Sequence, residues 1–349
     1  MNCFRRFLYL VYYCRKLDRA TFWRFFRVVR AQKHWPGPKL FRDIVCSVFR
    51  YNISLMEYFY FRFYERDPEE RKGYAGTGYM YEYQLLMNPR KYREALEDKR
   101  RFLELFRDFV RHDHADLDSF EKNPELAKKM LGNKSGKLVL KKHNGQCGIG
   151  VELFPVDGMG VEDVLGRLKE TGNDLVEECI TQHPDLMALS PSGLNTIRIF
   201  TQLNSQDEVE ILGCRLRISV DSVVDNFAAG NIAAPVDEES GVISGEGVYS
   251  DITKANVEKH PITGVRIPGF RIPFWKETLE MVKKAALFYP QCRSVGWDVA
   301  VTSDGPGLIE ANHDWCKLVW QLPVDRGLKE VLERHLREYR KYFSGAFPE

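Results

Sequence analysis

Three oxygen-bearing side chains near the C-terminal end give the first chemical signal. They stand in Val295-Gly-Trp-Asp298-Val-Ala-Val-Thr-Ser-Asp-Gly-Pro-Gly-Leu-Ile-Glu310-Ala-Asn312. Asp298 and Glu310 fall on two predicted strands joined by a tight turn, so their side chains can face one another. Glu310 and Asn312, two apart on one strand, share a face. Such a set suits Mg²⁺, which takes few protein carboxylates and completes its octahedron with water and nucleotide oxygens. The plainer explanation is a solvated strand face carrying incidental acids. The apolar Val-Ala-Val and Leu-Ile around them argue against that face being wet.

A second signal is Lys137-Leu-Val-Leu-Lys141-Lys142-His-Asn-Gly145-Gln-Cys-Gly148-Ile-Gly150-Val. A strand delivers lysine, and a glycine-rich loop then returns to another strand. Glycines let the backbone approach a phosphate and present N–H groups to it, while lysine supplies a point charge. No Gly-Lys-Ser/Thr follows, so this is not a Walker A loop. It leads into a strand rather than opening a helix, so it is not a dinucleotide fingerprint either.

The elements that must position these residues change in texture along the chain. From Phe4 to about Tyr64 apolar residues recur at helical spacing, with a break at Trp35-Pro36-Gly37-Pro38, which predicts at least two helices. Asp67 to Gly73 reads as a charged turn, and a further helical segment runs from Asn88-Pro89 through Phe109. Beyond about residue 135, short strands are expected at 137–140 and 174–177 with a helix at 161–168 between them. Long alternating strands are expected at 196–203 and 208–220, then an amphipathic helix at 274–289, the strand pair 294–302 and 307–311, and a last helix from about Arg326. The predicted class is α+β in three parts. They are a helical, basic and aromatic region (1–90), a smaller α/β unit with its preceding helix (91–185) and an antiparallel-sheet unit carrying the three oxygen ligands (186–349).

Composition sets outer limits. The 349 residues are 44% apolar and 29% charged, enough to bury a core, and they are not those of a disordered chain. The apolar run Phe7 to Cys14 is far shorter than the roughly 20 residues that span a bilayer. Arg15, Lys16 and Arg19 close it off, with no small-residue cleavage site, so a secretory signal is disfavoured. Eight scattered cysteines without a CxxC pair read as reduced thiols of a cytoplasmic protein and leave no zinc site to expect. The net charge of +2 hides an asymmetry. Residues 1–66 hold 14 Lys/Arg against 4 Asp/Glu, and 19 of the 44 aromatic residues. Basic residues among aromatics fit a surface that meets phosphates on an anionic bilayer, a lipid-linked carrier or nucleic acid. The bland alternative is a helical subdomain with aromatics packed inward and arginine stems lying along it. No RNA-binding motif supports nucleic acid.

In this order, the lysine–glycine loop and the Asp298–Asn312 segment resemble the ATP-grasp superfamily over about residues 90–320. Ser190-Pro-Ser-Gly-Leu-Asn-Thr-Ile-Arg198, Val224-Asp-Asn-Phe-Ala-Ala-Gly230-Asn and His260-Pro-Ile-Thr-Gly264 resemble its sugar-transfer-associated branch, whose members sit among polysaccharide-building enzymes. The resemblance implies two α+β subdomains clasping ATP, and ligation of a carboxylate to an amine through an acyl phosphate. It also implies roles by position. Lys99 would reach the α-phosphate, and Lys141, with Lys142 as its neighbour, the α- and β-phosphates. Residues 144–150, with Gly145, Gly148 and Gly150, would close over the phosphates, although Gln146 and Cys147 stand where small residues are usual. Glu177, Glu178 and Ile180 lie on the matching hinge strand, Glu178 and Ile180 meeting adenine through backbone groups. Asp185, or else Gln182, would meet the ribose. Arg198 and Arg217 would face the γ-phosphate and the developing acyl phosphate, with Asn226 and Gly230 near the acceptor carboxylate. His260 and His313 are candidate acid/base or substrate groups. Asp298, Glu310 and Asn312 would hold two Mg²⁺ ions, Mn²⁺ being an alternative.

Three function classes follow: a ligase, a phosphotransferase using the same site, and a scaffold that keeps ATP without turnover. The expected partners are a sugar-nucleotide or lipid-linked carboxylate and an amine. The expected location is the cytoplasm, with peripheral contact to an anionic membrane through residues 1–66.

Overall fold

The computed structural model describes residues 3–145, 150–222 and 226–343. Its first three helices are α1 (Cys3–Arg15), α2 (Arg19–Lys33) and α3 (Gly37–Tyr51). Asp18 caps α2 through the Thr21 N–H, and the chain leaves α2 at His34 in the left-handed conformation, so Trp35-Pro36 marks a real boundary. The expectation of at least two helices holds: three long helices form, the Asp18 cap separating the first two, and the short helix Glu57–Tyr60 follows them. The aromatics turn inward. Phe22, Phe25, Phe26, Tyr58, Phe59, Phe61 and Phe63 form one buried cluster with Val29, Leu40 and Ile44. The segment 67–73 is not a turn but a short helix, Pro68–Lys72, with an Asp67/Glu70 capping box. The helical stretch after Pro89 is likewise interrupted: Asp98 ends Arg90–Glu97 and caps Lys99–Leu105.

A four-stranded antiparallel sheet follows, made of β1 (His114–Asp116), β2 (Lys137–Lys141), β3 (Glu152–Pro155) and β4 (Leu175–Glu178) in the order β1-β4-β2-β3. The helix Val161–Thr171 packs Val164, Leu165 and Leu168 against Leu138, Leu140 and Val176 of this sheet. The second sheet has five antiparallel strands: β5 (Ile197–Leu203), β6 (Val209–Ile218), β7 (Ile232–Val236), β8 (Ser294–Thr302) and β9 (Gly305–Asn312). Their order is β7-β6-β5-β8-β9. The helix Trp275–Phe288 covers one face through Val282, Ala285 and Ala286. The edge strand β7, which carries Pro235, has no clear signal in the sequence. Its Ile-Ala-Ala-Pro-Val lacks the alternation that marks the other strands, and proline is tolerated because β7 lies at the edge. The last helix, Lys329–Phe343, begins slightly later than its sequence suggests, after the short helix Lys317–Gln321.

Among the described residues no helix is long and apolar enough to cross a membrane.

Candidate active site

Strand register brings the charged residues together. Arg198 on β5 lies directly opposite Asp298 on β8, and Asp298 lies opposite Glu310 on β9. The pairing jumps from Asp298–Glu310 to Val299–Leu308, so β9 carries one extra residue there. Such a bulge re-aims side chains within a ladder. Asp298 is almost wholly buried. Arg198 grips it with two parallel hydrogen bonds, Nη2 to Oδ2 at 2.8 Å and Nε to Oδ1, and Arg217 reaches Oδ2 from β6 at 2.8 Å. Arg217 also donates to Thr196 Oγ1, at 2.9 Å from Nε and 2.6 Å from Nη2.

These contacts set the protonation preferences. Burial pushes Asp298 upward, but the two guanidinium groups outweigh it and hold the carboxyl well below its usual range. Glu310 goes the other way: burial and then the neighbouring Asp298 carboxylate raise it, despite the arginines. Asn312, two residues on, places its Nδ2 3.4 Å from Glu310 Oε1 and from the Gly296 carbonyl.

The four-stranded sheet supplies the facing cations. Lys141 is buried with its Nζ 2.7 Å from Glu177 Oε1, diagonally across β2 and β4, whereas Lys142 is exposed. His112 approaches the other Glu177 oxygen at 3.3 Å. Burial raises Glu177, but Lys141 and His112 reverse that and keep it ionised to low pH. Lys99, at the start of its helix, donates to the Gly145 carbonyl, and its N–H donates to the His143 carbonyl at 3.0 Å. Burial lowers Lys99, Glu310 opposes that, and Lys141 adds to it. Lys99 thus feels both the sheet carboxylate and the second lysine.

The remaining expected residues divide. Gly145 and Gly150 flank the loop, Gly150 with φ of 76°. Gly148, Gln146 and Cys147 lie outside the described residues. The Glu178 N–H donates to the Asp113 carbonyl at 2.8 Å, and Ile180 follows the end of β4. Asp185 is exposed in the first turn of Pro184–Leu189, where its nearest ionic neighbour is His183 at 3.5 Å. Gln182 is buried, donating to the Gly193 carbonyl at 2.8 Å and accepting from the Asn195 N–H at 2.7 Å, so it braces the loop before β5. Asn226 closes a turn in which Gly230 has φ of 95°. His260 is buried with both ring nitrogens on neighbouring groups: Nε2 is 2.9 Å from the Ser219 carbonyl, and Nδ1 accepts from the Thr263 N–H at 3.2 Å. That placement makes it an anchor for the 260–264 turn. His313 Nε2 pairs with Glu97 at 2.6 Å.

Sequence reasoning named Glu177 but not its pairing with Lys141, and it missed His112 and the triad Asp98–His143–Asp174. In the triad, His143 Nδ1 contacts Asp174, and the His143 N–H donates to the Asp174 carboxylate at 2.8 Å. Only Asp98 carried a legible signal, as a helix cap preceding Lys-Arg-Arg-Phe.

The donor set can be tested for a divalent ion. Among the described residues no three His, Cys, Asp or Glu side chains converge as a protein-only cage would need. A nucleotide-bound Mg²⁺ needs fewer, one or two carboxylates with phosphates and water. Glu310, a carboxyl raised by burial and by the Asp298 carboxylate beside it, fits that requirement, with the Asn312 amide next to it.

Solved structures of several enzymes resemble this fold at low identity. Biotin carboxylase from Campylobacter jejuni is 14% identical over 74% of this chain and 48% of its own, with a TM-score of 0.42. L-amino acid ligase from Bacillus licheniformis is 14% identical over 73% of this chain and 51% of its own, with a TM-score of 0.41. N5-carboxyaminoimidazole ribonucleotide synthetase from Thermus thermophilus is 13% identical over 72% and 54%, with a TM-score of 0.43. This chain therefore spans about half the length of each. No curated protein matches the sequence. The family model for sugar-transfer associated ATP-grasp matches residues 79–336, which takes in both sheets and every charged residue of this candidate site. The chain belongs to the sugar-transfer associated ATP-grasp family.

Proposed function

We propose that this protein is an ATP-dependent ligase that joins a carboxylate to an amine through an acyl phosphate, with a sugar acid of capsular or extracellular polysaccharide synthesis as the carboxylate. One observation carries the reading. On one sheet Arg198 and Arg217 both grip Asp298, which lies opposite Glu310, and Glu310 in turn stands within electrostatic reach of Lys99, which also feels Lys141 of the other sheet.

A carboxylate resists an amine because its oxygen is a poor leaving group. In the proposed reaction, a carboxylate oxygen attacks the γ-phosphorus of ATP and ADP departs. The amine then attacks the acyl carbon, phosphate departs, and the ammonium proton is lost to give the amide. Such a transfer asks the protein mainly for alignment and charge. Arg198 and Arg217 supply fixed, planar, permanently charged donors, held in place by Asp298. Lys141 of the four-stranded sheet and Lys99 at the start of its helix supply point charges. Residues 144–150 carry the glycines that would let backbone N–H groups approach phosphate and exclude water. Glu310 and Asn312, with Asp298, would hold Mg²⁺, whose charge neutralises phosphate oxygens.

The family's association with sugar transfer supports the sugar acid, and the cationic residues 1–66 support a carrier bearing pyrophosphate. The test is ADP release with sugar acids crossed with amines, products read by mass, and hydroxylamine added in place of the amine. A hydroxamate is expected. A product heavier by one phosphoryl group, without hydroxamate, would make the protein a phosphotransferase. ATP binding without ADP release under every combination would make it a scaffold.

A further inference from the structure

The N-terminal helices leave an apolar surface that nothing among the described residues covers. Six of the twelve exposed large hydrophobic residues among the described ones lie between residues 7 and 41. On α1, Phe7, Leu8 and Tyr12 are 53%, 49% and 54% exposed, while Tyr13 turns into the core. Positions 8, 12, 15 and 16 follow helical spacing, so Arg15 and Lys16 continue the side that Leu8 and Tyr12 begin. On α2, Arg19, Trp23, Arg27 and Arg30 recur at the same spacing, and all four are exposed. Trp23 is 50% exposed, with its ring set edge-on against the buried Phe22 and Phe26. An indole held by the core on one side and bare on the other is pre-positioned for an interface.

The charges around these residues are nearly all of one sign. Three of the four acids in residues 1–66 are neutralised by a cation: Asp43 by Arg71, Glu57 by Lys317 and Glu65 by Lys33. The fourth, Asp18, caps α2. By contrast, Arg15, Lys16, Arg19, Arg27, Arg30 and Arg42 are exposed, and among the described residues none has a carboxylate within ion-pair distance. A protein partner would have to bury these arginines against many acids. A nucleic acid could stack on Phe7, Tyr12 and Trp23 but would leave the aliphatic Leu8 and Val28 without a role. An anionic bilayer meets both demands, because its headgroups pair with Arg and Lys while the acyl boundary takes Phe, Leu, Tyr and Trp.

We propose that α1 and α2 dock this protein on an anionic phospholipid surface, Phe7, Leu8, Tyr12 and Trp23 entering the interface and Arg15, Lys16, Arg19, Arg27 and Arg30 meeting the phosphates. The proposal extends the carrier reading of residues 1–66, since a lipid-linked sugar acid would be met at the same plane. Vesicle binding needs no nucleotide, so its failure is separable from failure of amide formation.

The full chain is floated with vesicles of phosphatidylcholine alone and with vesicles that also contain phosphatidylglycerol. Binding only to the second, reduced by salt, is expected. The exposed triple substitution Phe7→Ser/Leu8→Ser/Tyr12→Ser and the reversal Arg15→Glu/Lys16→Glu/Arg19→Glu should each lower partition by about tenfold or more, with thermal unfolding and ADP binding unchanged. Equal partition of the wild-type chain onto both vesicles, or no effect of either variant, overturns the proposal. So does binding to single-stranded RNA without binding to vesicles, or a concentration-dependent dimer that Phe7→Ser/Leu8→Ser/Tyr12→Ser abolishes in a chain that ignores lipid.

Discussion

Arg198 and Asp298 sit directly opposite one another on neighbouring strands, and the arginine engages both carboxylate oxygens, with Arg217 sharing one of them at 2.8 Å. Asp298 is therefore a clamp for two guanidinium groups as well as one of the proposed metal ligands. The fork geometry matters more than the charge alone, which makes a lysine at position 198 informative. Arg198→Lys keeps one positive charge but cannot make two parallel bonds. ADP formation should fall about 100-fold, with a stability loss of about 1–3 kcal/mol, read from ADP release and urea unfolding on the same preparation. Wild-type turnover in that variant would remove Arg198 from the chemistry.

Glu310→Gln separates chemistry from folding with opposite signs. The Glu310 carboxyl is raised by burial and by the Asp298 charge beside it, so its ionised form costs the folded state free energy. A neutral amide of similar shape removes that cost. The expected result is a melting temperature equal to or above that of the wild-type chain, with ADP release down by several orders of magnitude. A variant that turns over at near-normal rate would show that the Glu310 carboxylate does not hold the metal.

Much of this site was legible because strand period and chain order are local properties. Asp298, Glu310 and Asn312 lie on a strand pair whose apolar residues and glycine turn announce it, and Lys141 follows from an alternating strand entering a glycine-rich loop. What the sequence could not display is who neutralises whom. The pairing of Asp298 with Arg198, 100 positions away, depends on the order β6-β5-β8, which no local pattern encodes. The pairing of Lys141 with Glu177 depends in the same way on β4 entering the sheet between β1 and β2. His260 shows the opposite failure: its position in a motif invites a chemical role, and only the Ser219 and Thr263 contacts reveal an anchor. The N-terminal aromatics were ambiguous between core and surface because the region does both, Phe22 facing inward and Trp23 outward on consecutive positions.

The Lys141–Glu177 pair predicts an acid-side loss of stability. Glu177 has an ordinary value of 4.5, and its folded value is lower because Lys141 and His112 outweigh the effect of burial. A carboxylate depressed on folding contributes stability that is complete above its unfolded value and is lost as pH falls through the folded one. Stability of the wild-type chain should therefore decline below pH 4.5 more steeply than that of Glu177→Gln. Urea midpoints measured from neutral to acid pH decide it, and parallel curves for the two proteins would show that the pair adds no pH-dependent stability.

A buried ion pair ties the N-terminal helices to the sheet unit. Glu57 is almost fully buried and accepts from the Ser54 N–H at 2.7 Å, the Thr77 N–H at 2.9 Å and the Thr77 hydroxyl at 2.6 Å, while Lys317 lies 2.9 Å from its Oε1. Lys317 begins the short helix that follows β9, so this one carboxylate joins the N-terminal cluster to the chain leaving the Asn312 strand. Burial works against both charges, and each is stabilised by the other. Removing one partner leaves the other buried and unpaired, which typically costs about 3–5 kcal/mol. Lys317→Met should therefore destabilise strongly, and Glu57→Gln nearly as much. The double variant removes both charges at once and should lose less than the two single losses added together, by about 1–3 kcal/mol. Unfolding free energies for the four proteins close the cycle. Strict additivity would mean that Glu57 is held by Ser54 and Thr77 alone and that Lys317 does not bind the two parts together.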